Sequence, residues 1–296
     1  MKAGFLKLSG NAQGCVWMAL CGLGFSVMAA FVKLAGQSHL NIFEITFFRV
    51  LIGFLMLAPF VMRAGIGSLH TQYIRAHTLR AVLGFIAMIC AYIGIAKLEL
   101  ATYTALSFTK PLFAVILAVF ILKEDVRWRR WAATIVGFFG VLVMMQPGSG
   151  TFNAWALLAL GDSLSIALLI TILKRLPASE TPLVMLFYYG LIGTLMIAPF
   201  AIYSWEWPTE QQWLYLLAIG ATGALSQYWW ILAFKAGEAS VVAPFDYLRL
   251  LFVGMIGFAI FGELPDHWTL IGSAMIIGST VYIAQREARR RSVKAD

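Results

Sequence analysis

Long apolar stretches alternate with short polar segments along the whole chain. Ten such stretches are visible, each of roughly 18–24 residues, which is long enough for a helix to cross the ~30 Å hydrocarbon core of a bilayer. They fall near residues 12–34, 43–63, 79–96, 101–122, 129–146, 153–173, 183–203, 212–234, 240–261 and 267–285. The pattern predicts an all-α membrane protein with ten transmembrane helices, numbered below as spans one to ten.

The chain also contains an internal repeat with an offset of about 140 residues. Residues 51–60 read LIGFLMLAPF and residues 191–200 read LIGTLMIAPF, so eight of ten positions are identical at an offset of 140. Segments 96–126 and 235–265 align without a gap at an offset of 139, which places Lys110 opposite Arg249. Two matches at nearly one offset indicate a duplication.

Each copy of the repeat contains five spans, an odd number. The second copy must therefore enter the membrane from the side opposite to the first. We predict two inverted five-helix repeats, residues 1–148 and 149–296, which form one integral unit. Many secondary transporters have this architecture, and their substrate sites lie near mid-bilayer between the two halves.

The composition supports a membrane protein and orients it. Of 296 residues, 61% are hydrophobic and only 12% are charged, which is too few charges to cover a soluble domain. Among the 22 Lys and Arg, 17 fall on one side of the predicted membrane, four fall within spans, and only Lys97 lies on the other side. The positive-inside rule then predicts that both termini are cytoplasmic, most simply at a bacterial inner membrane. The net charge of +8 thus reflects topology and does not indicate nucleic-acid binding.

Four ionisable residues fall near the middle of predicted spans. Lys110, Arg249 and Asp162 are each the tenth residue of their span, and Asp246 precedes Arg249 by one turn. A charge at this depth costs at least about 2.5–3.5 kcal/mol on insertion scales, so such residues are rare and are commonly functional. We therefore take these four as the first candidates for a substrate site.

Polar and aromatic residues recur at a similar depth. The further residues that we expect to line the site are Tyr103, Ser107, Tyr92, Gln227, Trp230 and Ser26. Tyr103, Ser107 and Lys110 follow one another at i, i+4 and i+7, which puts them on one stripe of span four. Charges of both signs beside aromatic walls suit a zwitterion with an apolar side chain, such as an amino acid.

The same charges also allow a purely structural interpretation. Asp246 could pair with Arg249 within one helix, and Lys110 could pair with Asp162, without any role in binding. Because desolvation offsets most of the attraction in a buried pair, we favour a wet cavity. For Trp230 and its aromatic neighbours, packing against lipid or another helix is the default interpretation.

Other charges at or near span ends are assigned to structure. We expect Arg49 to brace a helix interface, with Glu44 as its candidate partner. Lys33 ends span one, and Glu124 and Glu263 end spans four and nine. At these two glutamates we favour capping or gating over substrate binding.

Motifs for catalysis or metal binding are missing from the sequence. The four histidines lie in loops or at span ends without metal-ligand spacing, and the three cysteines lie in apolar spans without paired spacing. There is also no phosphate-binding loop of the kind that ATP hydrolysis requires. We therefore predict that the protein is not an enzyme and holds no metal or cofactor.

Several short motifs are shared with a known class of membrane proteins. They are Arg49-Val-Leu-Ile-Gly, Pro111-Leu-Phe-Ala-Val, Leu122-Lys-Glu, the glycines Gly137 and Gly140, and Gly262-Glu263 with Gly272. On these residues the chain resembles the drug/metabolite transporter superfamily, EamA type, over essentially its whole length. One departure is that Pro244 does not align with Pro111, so the kinks of the two halves are expected to differ.

The resemblance implies alternating access without ATP, and within the superfamily the chain is most similar to bacterial amino acid exporters. Our leading hypothesis is a secondary transporter that exports amino acids or related metabolites. Lys110 and Arg249 would hold a carboxylate, and Asp162 or Asp246 would hold an ammonium group or exchange a proton. The expected partners are a small-molecule substrate, the lipid bilayer and protons as the candidate coupling ion. The chain itself would be a monomer or a weak homodimer.

Alternatives remain open at this point. Other members of this length take up S-adenosylmethionine or riboflavin, and the same charges and aromatic residues would fit either uptake function. A membrane enzyme acting on lipid is disfavoured because the sequence has no catalytic constellation. A receptor or scaffold that transports nothing would have no use for the buried charges.

Overall fold

The computed structural model describes residues 9–121, 123, 128–146, 153–173 and 181–295, and every regular element in these segments is helical. The spans are α1 (Gly10–Gln37), α2 (Ile42–Ala64), α3 (Ile74–Lys97), α4 (Leu100–Phe120), α5 (Trp128–Met145), α6 (Ala156–Leu173), α7 (Pro182–Tyr203), α8 (Glu210–Ala236), α9 (Ala243–Phe261) and α10 (His267–Ala295). Among the described residues, nine helices are long and apolar enough to cross a membrane, and α6 contains a shorter apolar helix. The predicted all-α membrane fold is confirmed.

The predicted boundaries differ from the observed ones by only a few residues in most spans. Helix α3 begins at Ile74 rather than at 79, and α10 continues past the predicted end at 285 to Ala295. Glu124 and the predicted boundary between the repeats at residue 148 lie outside the described residues.

Two equivalent spans are interrupted near the membrane centre. Helix α4 consists of Leu100–Ser107 and Lys110–Phe120, and Pro111 lies in the first turn of the second piece. Helix α9 begins with the 3₁₀ turn Ala243–Tyr247 and continues as Leu248–Phe261. At the repeat offset of 139, residue 108 in the first break corresponds to residue 247, at the junction in α9.

The prolines explain these interruptions although they do not align. Proline lacks a backbone N–H and clashes with the preceding turn, so it commonly opens a helical piece, although Pro199 lies inside α7. Pro111 opens the second piece of α4, and Pro244 opens the 3₁₀ turn of α9. The two breaks therefore lie at equivalent depths but differ locally, as the differently placed prolines led us to expect, since the residues before the break are α-helical in α4 and 3₁₀ in α9.

The helix pairs follow the internal repeat. Helix α1 packs along α8 while its repeat equivalent, α6, packs along α3, and the pair α1–α9 corresponds to the pair α6–α4. The pairs α2–α7 and α5–α10 each join equivalent helices of the two halves. The two halves therefore interdigitate and bury most of their contact surface against each other.

The α5–α10 pair depends on close backbone approach at two glycines. A Cβ atom added to Gly272 would lie 2.5 Å from the carbonyl oxygen of Gly140 and 2.2 Å from Cγ of Met144. Side chains this close cannot be accommodated without moving the helices apart. Small residues at such crossings are what allow membrane helices to pack tightly.

We expect Gly272→Ala to lower the melting temperature of the protein in detergent, because overpacking a tight contact costs about 1–3 kcal/mol. Gly278 lies on the same helix and faces open space, with no atom within 4 Å of an added Cβ. The matched variant Gly278→Ala should therefore melt at or above the wild-type temperature. Equal melting temperatures for the two variants would contradict a tight α5–α10 contact.

Candidate functional site

The first group of buried charges joins α4 to α6 and is called the Asp162 cluster (Tyr103, Lys110 and Asp162). Lys110 Nζ lies 3.3 Å from Asp162 Oδ2, and the Tyr103 hydroxyl donates to the same oxygen at 3.0 Å. Gly94 makes room for Tyr103, since an added Cβ would lie 3.0 Å from the ring. The Asp162 side chain is 5% exposed and that of Lys110 is 28% exposed. The carboxylate is thus enclosed, while the ammonium reaches a more open region.

The second group lies where α9 crosses α1 and α4. Arg249 Nη2 donates to Ser107 Oγ at 3.1 Å, and its guanidinium lies 5.1 Å from the ring centre of Phe108. The Ser26 hydroxyl on α1 lies 3.3 Å from the carbonyl oxygen of Arg249. These contacts tie the breaks of the two equivalent spans to each other across the repeat.

Asp246 does not pair with Arg249. Within the described part of the chain, the Asp246 carboxylate forms no ion pair or hydrogen bond, and Arg249 donates to Ser107 instead. The intrahelical pair that the sequence allowed is therefore not formed, whereas the pair between Lys110 and Asp162 is. The junction between the 3₁₀ turn and the following α-helix separates Asp246 from Arg249.

A cavity of about 500 Å³ lies between α2, α3, α6, α7 and α8. Its polar lining residues are Arg49, Arg80, Tyr189, Gln227 and Tyr228, and the remaining lining is apolar or glycine. Of the ten site residues predicted from the sequence, only Gln227 belongs to the described lining of this cavity. Ile166 of the lining follows Asp162 by one turn of α6, so the cavity reaches towards the Asp162 cluster.

Two of the predicted aromatic residues have other surroundings. Tyr92 is buried, with 3% of its surface exposed, and lies beside Arg49. Trp230 is 45% exposed and packs edge-on against Phe234 of the same helix, with ring centres 4.9 Å apart. The placement of Trp230 fits the lipid-facing packing that the sequence favoured for it.

Arg49 lies at a helix interface, as the sequence led us to expect, but its partner there is not Glu44. Its proposed partner Glu44 accepts a hydrogen bond from the backbone N–H of Glu206 at 2.8 Å, and Arg49 lines the cavity instead. The spacing of Glu44 and Arg49 could have excluded this pair, because residues five apart do not share a helix face as residues three or four apart do. Gly223 makes room for the guanidinium, because an added Cβ would lie 2.3 Å from Arg49 Nε.

Arg80 contributes a second cation to the cavity from α3. Its Nη1 donates to the carbonyl oxygen of Met185 at 2.6 Å, and its guanidinium lies 5.2 Å from the ring centre of Tyr189. Gly84 accommodates that ring, since an added Cβ would lie 2.6 Å from it. From the sequence, Arg80 counts among the 17 cations on one side of the membrane, at the very start of a span predicted to begin at 79, whereas α3 begins at Ile74.

A third polar group lies at the ends of the helices that are remote from the cavity. We call it the Lys33–Glu263 lock, and it consists of Lys33, Leu98, Leu100 and Glu263. Lys33 Nζ forms an ion pair with Glu263 Oε1 and donates to the carbonyl oxygen of Leu98 at 2.7 Å. Glu263 Oε2 accepts from the N–H of Leu100 at 2.9 Å. Partial desolvation and then the charge of Glu263 raise the pKa of the neighbouring Glu99 carboxyl. The lock joins the end of α1, the α3–α4 loop and the end of α9.

The cavity and the lock lie on opposite sides of the molecule. Antiparallel spans alternate in direction, so the second halves of α2, α6 and α8 share one side with the first halves of α3 and α7. Most cavity residues come from these halves, and Arg49 and Val50 lie shortly before the midpoint of α2. Lys33 and Glu263 lie at the ends of α1 and α9, which belong to the other side.

Three relatives show what the chain is similar to. An S-adenosylmethionine uptake transporter from Rickettsia prowazekii is 34% identical over 282 residues, which covers 95% of this chain and 96% of the relative. A riboflavin transporter from Vibrio cholerae is 30% identical over 282 residues, covering 94% and 95%. A pseudopaline exporter from Pseudomonas aeruginosa is 27% identical over 275 residues, covering 92% and 96%.

A protein of known crystal structure shares the fold. It superposes with a TM-score of 0.58 at 18% sequence identity, and the match covers 90% of this chain and 96% of that protein. At this level of sequence identity, the match shows only that the two proteins share the same arrangement of helices.

The family assignment follows from the repeat and from these relatives together. The model of the EamA-like transporter family matches the chain twice, at residues 12–146 and 153–285. The two matched segments span most of the chain and fall in its two halves, as the resemblance of the sequence motifs implied. The protein is a multi-pass membrane protein that belongs to the EamA-like transporter family.

Proposed function

We propose that the protein is a secondary transporter that takes up a metabolite of the S-adenosylmethionine class by alternating access. The observation that carries this proposal is the one-sided cavity. About 500 Å³ of space lies on one side of the membrane, while the Lys33–Glu263 lock closes the ends of α1 and α9 on the other. A site open to one side at a time is what alternating access requires.

The size of the cavity favours a substrate larger than a free amino acid. Sites that enclose drug-sized ligands have volumes of about 300–1,000 Å³, and this cavity lies within that range. A free amino acid would leave much of it filled with water. Relatives named for S-adenosylmethionine and riboflavin are also more similar in sequence than the named exporter. Amino acid export, the leading hypothesis from the sequence, is therefore the less supported alternative.

The chemistry of the cavity suits an amino acid joined to an aromatic base. Arg49 and Arg80 can attract a carboxylate, and Tyr189 and Tyr228 offer aromatic surface for a ring. The Asp162 carboxylate lies one turn beyond the lining residue Ile166 and is paired with Lys110, so it would meet a cationic group only once that pair rearranges. S-adenosylmethionine carries a carboxylate, a cation and an aromatic base, whereas riboflavin has neither the carboxylate nor the cation.

The cation distribution orients this state of the transporter. The cavity lies on the side of the α2–α3 loop, which the positive-inside rule assigns to the cytoplasm. We therefore assign the structure to an inward-open state, with the lock on the periplasmic side and both termini cytoplasmic. Transport rather than catalysis is the activity that the named relatives support.

The central charges take a different role from the one expected. Lys110 is engaged with Asp162, and Arg249 with Ser107, so neither cation is freely available to a substrate carboxylate in this state. Both contacts connect broken spans to other helices. We propose that these two contacts rearrange when the cavity opens to the other side of the membrane.

Purified protein in liposomes should accumulate radiolabelled S-adenosylmethionine above the level of empty liposomes. Excess unlabelled S-adenosylmethionine should abolish the signal, while free methionine should compete weakly because it lacks the aromatic base. Accumulation of riboflavin alone would indicate that riboflavin, rather than S-adenosylmethionine, is the substrate. Accumulation of neither compound would refute the proposed uptake function.

Glu263→Gln should loosen the lock and expose the region behind it. A cysteine at Ala101, which is buried next to the lock, would report the opening in a variant whose native cysteines are replaced by alanine. We expect a soluble maleimide to label Ala101→Cys several-fold faster when Glu263→Gln is added. Glu206→Gln removes a carboxylate from the same side outside the lock and serves as the control. Unchanged labelling with Glu263→Gln would contradict a closing role.

A double-mutant cycle separates structure from function at the central pair. Breaking a buried ion pair by removing one partner costs about 3–5 kcal/mol, and the 28% exposure of Lys110 places this pair at the lower end. Lys110→Met or Asp162→Asn alone should therefore lower the melting temperature, and the double variant should recover most of the loss. We expect all three variants to transport poorly. A double variant with wild-type transport would show that the pair serves stability alone.

A further inference from the structure

We propose that Arg49 is the residue that binds the carboxylate of the transported molecule. This inference rests on the proposed function, because it takes the substrate to be an amino-acid-bearing metabolite. It goes beyond that proposal by assigning one substrate group to one side chain. The assignment follows from the charge, the partners and the packing of Arg49.

The charge of Arg49 has no acidic partner among the described residues. Arg49 lies within the membrane span α2, and none of the described residues forms an ion pair with it. The described lining of its cavity contains no acidic side chain. A guanidinium remains protonated in proteins, and a charge at this depth is costly unless it meets water or a partner. An anion entering the cavity would supply the missing partner.

The guanidinium of Arg49 is held in place by its neighbours, and one of its N–H donors has no hydrogen-bond acceptor. Nε of Arg49 is buried without a hydrogen-bond partner, against Gly223 of α8. An added Cβ on Gly53 would also come within 3.2 Å of Arg49 Nη1. Tyr92 lies within hydrogen-bond reach of the guanidinium, and Tyr189 lies nearby. A fixed, planar donor group of this kind matches the geometry of a carboxylate.

Arg49 and Arg80 differ in how far they are tied to the protein. The guanidinium of Arg80 already donates to the Met185 carbonyl and rests on the Tyr189 ring. Part of its donor capacity is therefore used inside the protein. Both arginines keep a buried Nε without a partner, but among the described residues only Arg80 is also tied to a backbone carbonyl, so Arg80 adds positive potential while Arg49 is better placed to bind a ligand. The apolar and aromatic lining beyond these arginines is where the rest of the substrate would lie.

The test compares two ligands that differ by a carboxylate. S-adenosylmethionine and its decarboxylated analogue are titrated against purified wild-type protein, Arg49→Gln and Arg49→Lys, with calorimetry as the readout. Wild-type protein should prefer the carboxylated ligand by about tenfold or more, because a charge-assisted bidentate contact is lost with the analogue. Arg49→Gln should bind both ligands equally, with the affinity that the wild type has for the analogue. Arg49→Lys should retain an intermediate preference, because lysine keeps the charge without the planar fork.

Arg63→Gln is the matched control, because Arg63 is an exposed cation on the same helix. It should leave the preference of the wild type unchanged, and the melting temperature of each ligand-free variant shows whether it is folded. If Arg49→Gln does not fold, an undiminished preference in Arg49→Lys would overturn the assignment. A folded Arg49→Gln that still prefers the carboxylated ligand would also overturn it while leaving the proposed function intact. A wild-type protein that binds neither ligand would refute the substrate class itself.

Discussion

The cost of a charge in hydrocarbon organises the interior of this protein. A buried ion in a membrane must meet a partner of opposite charge, a set of hydrogen bonds or water. Lys33 meets Glu263, Lys110 meets Asp162, and Arg249 meets Ser107. Arg49 instead meets a cavity. The first three contacts join different helices, and the fourth is where we propose that the substrate binds.

The internal repeat places these contacts in a symmetric frame. Lys110 and Arg249 occupy equivalent positions directly after equivalent breaks, yet they have different partners, Asp162 and Ser107. Broken spans leave backbone groups without their usual helical partners, and such groups are tolerated in a membrane only next to protein or water. The two halves thus have equivalent breaks, but the cations next to these breaks have different partners. This arrangement is expected if the two halves exchange roles when the cavity opens to the other side.

Two features on opposite sides of the membrane together support the transport mechanism. The cavity is formed by α2 from Arg49 to Phe60, the second halves of α6 and α8 and the first halves of α3 and α7, and the lock joins the ends of α1 and α9. Helices α1 and α9 pack directly against each other. A change in the angle between the halves would therefore act on the lock and on the cavity together.

The sequence by itself determined the membrane class, the spans, the duplication and the family, because apolar length and repeated motifs are properties of local segments. It also put Lys110 and Asp162 at one depth, which limited their partners. Only the tertiary structure decided that Arg49 faces a cavity and that Asp246 is not paired with Arg249. The cavity combines side chains from five helices that are far apart in the chain, and the helix packing that joins them cannot be deduced from the periodicity of any single span.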